Sequence, residues 1–196
     1  MKSSDDAELV RRAQGGCADS AAALAARHQV AVVHYAARLL AHRHGSRADA
    51  EDVAQESLVH ALARLHRHDP RWPFSTWLFA ITRRRCLNHL RAARRRAARE
   101  TAHVLPLETP PHDDPAALAS VREESGRLWA VAGRSLTEKQ FSALWLRTVE
   151  GLSVTEIARI LERPEASVKV LLFRGRRRLA AVLALPGDDP PATLPL

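Results

Sequence analysis

Asp49, Asp52, Gln55 and Glu56 fall in the stretch DAEDVAQES, Asp49 to Ser57, which holds four carboxylates in nine residues. On a helix Asp52 and Glu56, four apart, share a face with Gln55 beside them. Acids in a first turn also meet the positive end of the helix dipole, so Asp49 suits a helix cap as well as a contact. A second set is basic. Arg84, Asn88, Arg91 and Arg95 step by four, three and four, a stripe suited to a phosphate backbone. A third set lies between Glu165 and Leu183, where Ser167, Lys169, Phe173, Arg174, Arg176, Arg177 and Arg178 crowd one segment. None of this is bond-making chemistry: the chain has no Gly-rich phosphate loop, no nucleophile elbow and no pair of catalytic carboxylates. It is recognition chemistry, acid toward a basic partner and base toward a polyanion.

The bulk composition points the same way. Of 196 residues, 30 are Lys or Arg and 22 Asp or Glu, giving a net charge of +8. Such a balance seeks nucleic acid. All but Lys2, Lys139 and Lys169 of the cations are arginine, the better bidentate ligand for phosphate and base edges, although a GC-rich genome would also produce that bias. Cys17 and Cys86 form no CxxC and no disulfide framework, which suits a reducing cytoplasm. The opening MKSSDDAELVRR has no apolar core, and no apolar run approaches the roughly 18–20 residues of a membrane span. A soluble, cytoplasmic chain without membrane insertion is expected. No cofactor, metal or small-molecule substrate is expected. His42-x-His44 and His66-x-His68 lack zinc-spaced partners. Cys86 lies among arginines, which would lower its pKa.

The elements that must position these sets are helical almost throughout. Asp5 with Glu8 resembles a capping box and Gly15-Gly16 a stop. Leu24, His28, Val32, Tyr35 and Leu39 make one face of a long helix, broken at Gly45-Ser46. Asp49 can cap a third helix, with Val53 or Ala54, Leu58, Leu62 and Leu65 inward. A breaker-rich loop, His66 to Pro73, precedes a fourth helix opened by Phe74, Trp77, Leu78 and Ile81. From Thr101 to Pro115 the prolines leave no helical period, which reads as a flexible linker. Thr137 to Gln140 and Ser153 to Glu156 are capping boxes. The first starts a helix burying Phe141, Leu144, Trp145 and Thr148; the second starts a short helix with Ile157, Ala158, Ile160 and Leu161. Glu162-Arg163-Pro164 then interrupts, and a basic helix follows to about Leu183. A short helix, a tight turn and a basic helix form a helix-turn-helix. The expected fold is all-α: two small helical domains, residues 1–99 and 117–185, joined by a linker over 100–116 and followed by a disordered tail, 186–196.

Together DAEDVAQESLVHALARL, FSTWLFAITRRRCLNHLRAARRR and LTEKQFSALWLRTVEGLSVTEIARILERPEASVKVLLFRGRRRL resemble one family, the extracytoplasmic-function (ECF) group of bacterial sigma factors. The first two match the acidic, Trp-containing and basic helices of sigma region two, the third sigma region four. The resemblance covers roughly residues 5–183. It implies a non-enzymatic transcription initiation factor that binds core RNA polymerase through Asp49, Asp52, Gln55 and Glu56. It implies that the loop residues His68, Asp69, Arg71 and Trp72, with Arg84, Asn88, Arg91 and Arg95, meet the promoter −10 element and a flipped base. Trp72 is the stacking candidate, or a side chain packed on its own domain. Ser167, Lys169, Phe173, Arg174 and Arg177 would meet the −35 element, with Phe173 either on a thymine methyl or packed inward. In the family an anti-sigma protein is a usual partner, and linker acids such as Glu108, Asp113 and Asp114 would face the polymerase channel. Two departures bear on specificity: Arg84 stands where the family often has Asn, and Val170 and Leu171 where it often has Ser and Arg. The alternative is a stand-alone helix-turn-helix regulator binding a duplex operator.

Overall fold

The computed structural model describes residues 2–41, 46–100 and 119–183. The linker candidates Glu108, Asp113 and Asp114, the pair His42 and His44, and the tail lie outside the described residues. The helices are α1 (Lys2–Gln14), α2 (Ala18–Ala41), α3 (Arg47–Ala63), α4 (Phe74–Glu100), α5 (Ala119–Ser135), α6 (Glu138–Thr148), α7 (Val154–Leu161) and α8 (Glu165–Leu183), with a 3-10 turn at Leu65–Arg67. No strand occurs among the described residues.

Local chemistry sets the helix starts. Thr137 and Ser153 are N-caps whose boxes close through Gln140 and Glu156. The start of α3 differs from the expectation. Ser46 is its N-cap, and Asp49 is the reciprocal partner in the first turn, accepting from the Ser46 N–H and hydroxyl at 2.8 Å each. A carboxylate three residues after a serine closes the same ring as the usual glutamate. α1 also differs, because it begins before Asp5. Asp5 accepts from Arg27 across the α1–α2 contact at 2.6 Å, and Glu8 pairs with Arg11 instead of capping. Buried Asp6 holds both Arg27 and His28, at 2.7 and 2.8 Å, which explains how a histidine sits on the inner face of α2.

Around that face Leu24, Val32, Tyr35 and Leu39 are fully buried. Both Val53 and Ala54 point inward from α3. Phe74, Leu78 and Phe79 complete this part of the core, Phe79 meeting Tyr35 edge-on at 5.4 Å. In the second set Trp129, Phe141 and Trp145 cluster, with centroids 4.8–6.1 Å apart. Leu146 is buried there, whereas Thr148 is exposed, contrary to the expected face of α6. α8 crosses α6 at Gly175, where an added Cβ would lie 2.9 Å from Leu144 Cδ1.

The two sets also pack on each other. α4 lies against α7, and α2 against α5 and α6. Tyr35 donates its hydroxyl to Ser142 at 3.1 Å, in buried surroundings. Arg83, in the arginine run of α4, forms a bidentate pair with Glu138 at the start of α6, at 2.9 and 3.0 Å. Only 11% and 17% of these two side chains are exposed. Thr76 donates to Glu156 at 3.1 Å.

Candidate protein and nucleic-acid interfaces

The acidic face of α3 is exposed. Asp52, Gln55 and Glu56 are exposed because Val53, Ala54, Ser57 and Leu58 turn inward between them. Asp49 is half-buried, and the Ser46 backbone N–H holds its carboxyl below the usual range. Glu56 accepts from Arg85 of α4 at 2.6 Å, and His89 Nε2 lies 3.4 Å from Asp49. The groove between α3 and α4 thus has Asp49, Asp52 and Glu56 on one wall and Arg85, Asn88, His89, Arg91 and Arg95 on the other. The acidic set and most of the basic stripe therefore share one groove. Two separate linear patterns gave no sign of that.

The loop before α4 is structured by Asp69. Its carboxylate accepts from the Arg71 backbone N–H at 3.1 Å and from the Arg71 guanidinium at 2.8–3.1 Å. These bonds bring the Asp69 pKa down to about 2. His68 is a correction to the expected DNA-facing set: it is buried, its ring 5.5 Å from Trp77 and 6.1 Å from Phe74. An aromatic wall of that kind desolvates imidazolium, and burial lowers the His68 pKa. Trp72 is half-buried, with the Arg159 guanidinium 4.8 Å above its ring. Arg84 is three-quarters exposed and lies 3.4 Å from Glu162, just past α7.

On α8, Val168, Leu172 and Gly175 face the core, which turns Ser167, Lys169, Val170, Phe173, Arg174 and Arg177 outward. Phe173 is 61% exposed, a large apolar ring left in water. In the departure on α8, Val170 faces solvent while Leu171 is half-buried against the core. Val170 therefore presents the larger free apolar surface and Leu171 only part of its own. The turn before α8 places Glu162 at φ 53°, in the left-handed region.

Cys86 differs from the sequence expectation. Cys86 is buried on the inner face of α4, and burial pushes its thiol up to about 12 despite the neighbouring arginines. Cys17 is half-buried, and the Ser20 hydroxyl, which donates to its sulfur at 3.2 Å, lowers its pKa. Iodoacetamide at pH 8 is expected to modify Cys17 at least about tenfold faster than Cys86, because the thiolate is the nucleophile. Peptide mapping of a labelling time course checks this, and equal rates would contradict the burial of Cys86.

The sequence matches two families in the order of these helices, Sigma-70 region 2 over residues 24–96 and Sigma-70, region 4 over residues 132–179. The ECF RNA polymerase sigma factor BldN of Streptomyces coelicolor is 33% identical over 181 residues, which are 90% of this chain and 65% of BldN. The ECF RNA polymerase sigma-E factor of Haemophilus influenzae is 30% identical over 186 residues, covering 89% of this chain and 93% of that protein. The chain belongs to the ECF group of RNA polymerase sigma factors. Sigma factors are transcription initiation factors and not enzymes. The fold agrees: CnrH, solved in complex with the cytosolic domain of CnrY, matches with a TM-score of 0.66 at 26% identity, over 91% of this chain and 96% of that one. The sigma factor RpoE of Bartonella quintana, solved with the anti-sigma factor NepR, shares the fold with a TM-score of 0.66 at 23% identity, over 83% and 96% of the two chains. Among the described residues of this ECF sigma factor, no helix is long and apolar enough to cross a membrane.

Some interface residues gave little signal in the sequence. Arg83 reads as one more arginine in a run, yet it sits four after Phe79 and three before Cys86, both buried, and that spacing marks the inward face. Glu138 reads as part of a cap. Arg159 lies among the polar positions of a short helix, and Glu162 reads only as part of the interruption after it.

Proposed function

We propose that this sigma factor docks on core RNA polymerase through α3, with Asp52, Gln55 and Glu56 as direct contacts and Asp49 fixing the start of the helix. Asp69, Arg71 and Trp72, with Arg84, Asn88, Arg91 and Arg95, meet the −10 element, and His68 supports the loop from beneath. Trp72 supplies the stacking surface that a flipped base needs. Ser167, Lys169, Phe173, Arg174 and Arg177 meet the −35 element from the exposed face of α8. Region two spans residues 1–99 and region four 117–185, and the chain works in the cytoplasm without chemistry of its own. Membership in the family supports an anti-sigma protein as a further partner.

The observation that carries this reading is the coexistence, in one chain, of an exposed acidic helix face and an exposed basic second helix of a helix-turn-helix. A duplex-binding regulator needs only the latter. Run-off transcription tests it: purified bacterial core polymerase is given this chain and sheared DNA from the cognate genome, and the transcripts are sequenced. Discrete new start sites sharing two upstream elements are expected. No new transcripts, together with no comigration with core enzyme, would overturn the proposal.

A further inference from the structure

The geometry points to an anion-binding site at the end of α3, where Arg64, Arg67 and Arg85 gather round His60, suited to a small ligand that carries a diphosphate group. The observation that carries it is a surplus of donors. Arg64, the residue after α3, brings Nη1 to 2.9 Å from His60 Nδ1 and also against His60 Nε2. Arg85, from α4, brings Nη2 to 2.9 Å from the same Nδ1. A neutral imidazole has one acceptor nitrogen, and an imidazolium has none. Two guanidinium groups therefore converge on a ring with a single lone pair to offer. Burial and the guanidinium groups of Arg64, Arg85 and Arg84 lower the His60 pKa, which favours the neutral ring.

Arg67 lines the same cavity, from the 3-10 turn that follows α3. The one carboxylate among the described lining residues is Glu56, which accepts from Arg85 at 2.6 Å. Three guanidinium groups against one carboxylate call for an anion of at least two charges. Phosphate oxygens meet that need, because they accept from guanidinium groups in bidentate, charge-assisted bonds. Cations near a helix C-terminus also complement its dipole, which accounts for Arg64. It does not account for Arg85, which reaches the same ring from the middle of another helix. A nucleic-acid backbone suits a linear stripe, such as Arg84, Asn88, Arg91 and Arg95, whereas cations gathered about one point suit a compact anion. The cavity, 540 Å³, has the size of a small-molecule site. Val59, exposed on its wall, offers an apolar contact to whatever carries the diphosphate. Because Arg85 is also the partner of Glu56, a ligand that takes Arg85 releases Glu56 toward the polymerase. That consequence alone rests on the reading of α3 as the docking face.

The test is calorimetric titration of the full chain with inorganic pyrophosphate and with adenosine diphosphate, at about 0.15 M salt, where contacts between exposed charges are screened. Each is expected to bind one molecule per chain with a Kd below about 1 mM. Arg64→Gln combined with Arg67→Gln is expected to weaken both by at least about tenfold, since two charge-assisted partners are lost. Arg94→Gln with Arg96→Gln, exposed farther along α4, removes the same charge and is expected to change affinity less than about twofold. Val59→Glu sets a carboxylate on the cavity wall and is expected to weaken binding by at least about tenfold through like-charge repulsion. No binding of either compound, equal losses in the two double variants, or full affinity in Val59→Glu would each overturn the proposal. If circular dichroism shows lost helix in Arg64→Gln with Arg67→Gln, Val59→Glu carries the comparison. Run-off transcription by the wild-type chain judges the sigma reading separately, so failure of one leaves the other standing.

Discussion

Asp52→Arg combined with Glu56→Arg is expected to abolish comigration with core polymerase and, with it, promoter-directed transcription. Both side chains are exposed on α3, and neither takes part in the cap, which Ser46 and Asp49 close by themselves. Stability should therefore change little beyond the loss of the Glu56–Arg85 pair, which is exposed on the glutamate side. At a charged interface the effect is far larger. Truncating one partner of a close charge pair costs about 2–5 kcal/mol, and reversal adds repulsion to that loss. Two such changes weaken docking by at least about a thousandfold at 1.4 kcal/mol per decade. Arg85 amplifies the result, because a new arginine at position 56 would face it across the groove. Size-exclusion chromatography with core enzyme measures the effect, and an unchanged far-UV dichroism spectrum separates it from misfolding. Retained comigration would move the docking surface off α3.

The second large effect is expected at Gly175. Valine there would add three carbons where the first already lies 2.9 Å from Leu144 Cδ1 and 3.3 Å from its Cγ. Leu144 is itself buried beneath α8 and cannot swing into solvent. Overpacking of this order costs about 1–3 kcal/mol. The helical gain from losing a glycine is about 0.5–1 kcal/mol for alanine and smaller for a β-branched residue. The net loss of about 2 kcal/mol should lower Tm by roughly 4–8 °C in a chain of this size. Alanine, gaining propensity while bringing a single carbon against Leu144, should fall between wild type and valine. Thermal unfolding of the three proteins gives the order, and a valine variant as stable as wild type would show that α8 can shift on α6 without cost.

Much of the helical order was legible because its causes are local. The Thr137 and Ser153 boxes, the Glu162–Pro164 interruption and the start of α8 after it all lie within a few residues of the side chains that dictate them. Asp49 was legible as a cap participant but not in its true place, because the ring closes from Ser46, three residues earlier. Asp5 gave a false start for the opposite reason. Its partner is Arg27 on the next helix, and no spacing within α1 could reveal that. The choice between DNA and core for Phe173 depended on which face α8 turns inward, and Gly175 with Leu172 settles it toward solvent. Leu171 had to wait for the same fact. The Cys86 thiol was misjudged because charge along the sequence was weighed without burial, and here burial outweighs the arginines. The meeting of Arg83 with Glu138, 55 residues apart, leaves no periodic trace at all.

The packing of α4 against α7, with its ion pair to α6, bears on how the free molecule is shared out in a cell. A chain carrying +8 meets a chromosome offering about a million or more indifferent phosphate sites. With Arg83 and Arg84 already facing carboxylates, α4 has fewer free cations than its sequence suggests, although Arg91 and Arg95, like the outer face of α8, stay exposed. The acidic face of α3, unattractive to DNA, stays open to a basic protein.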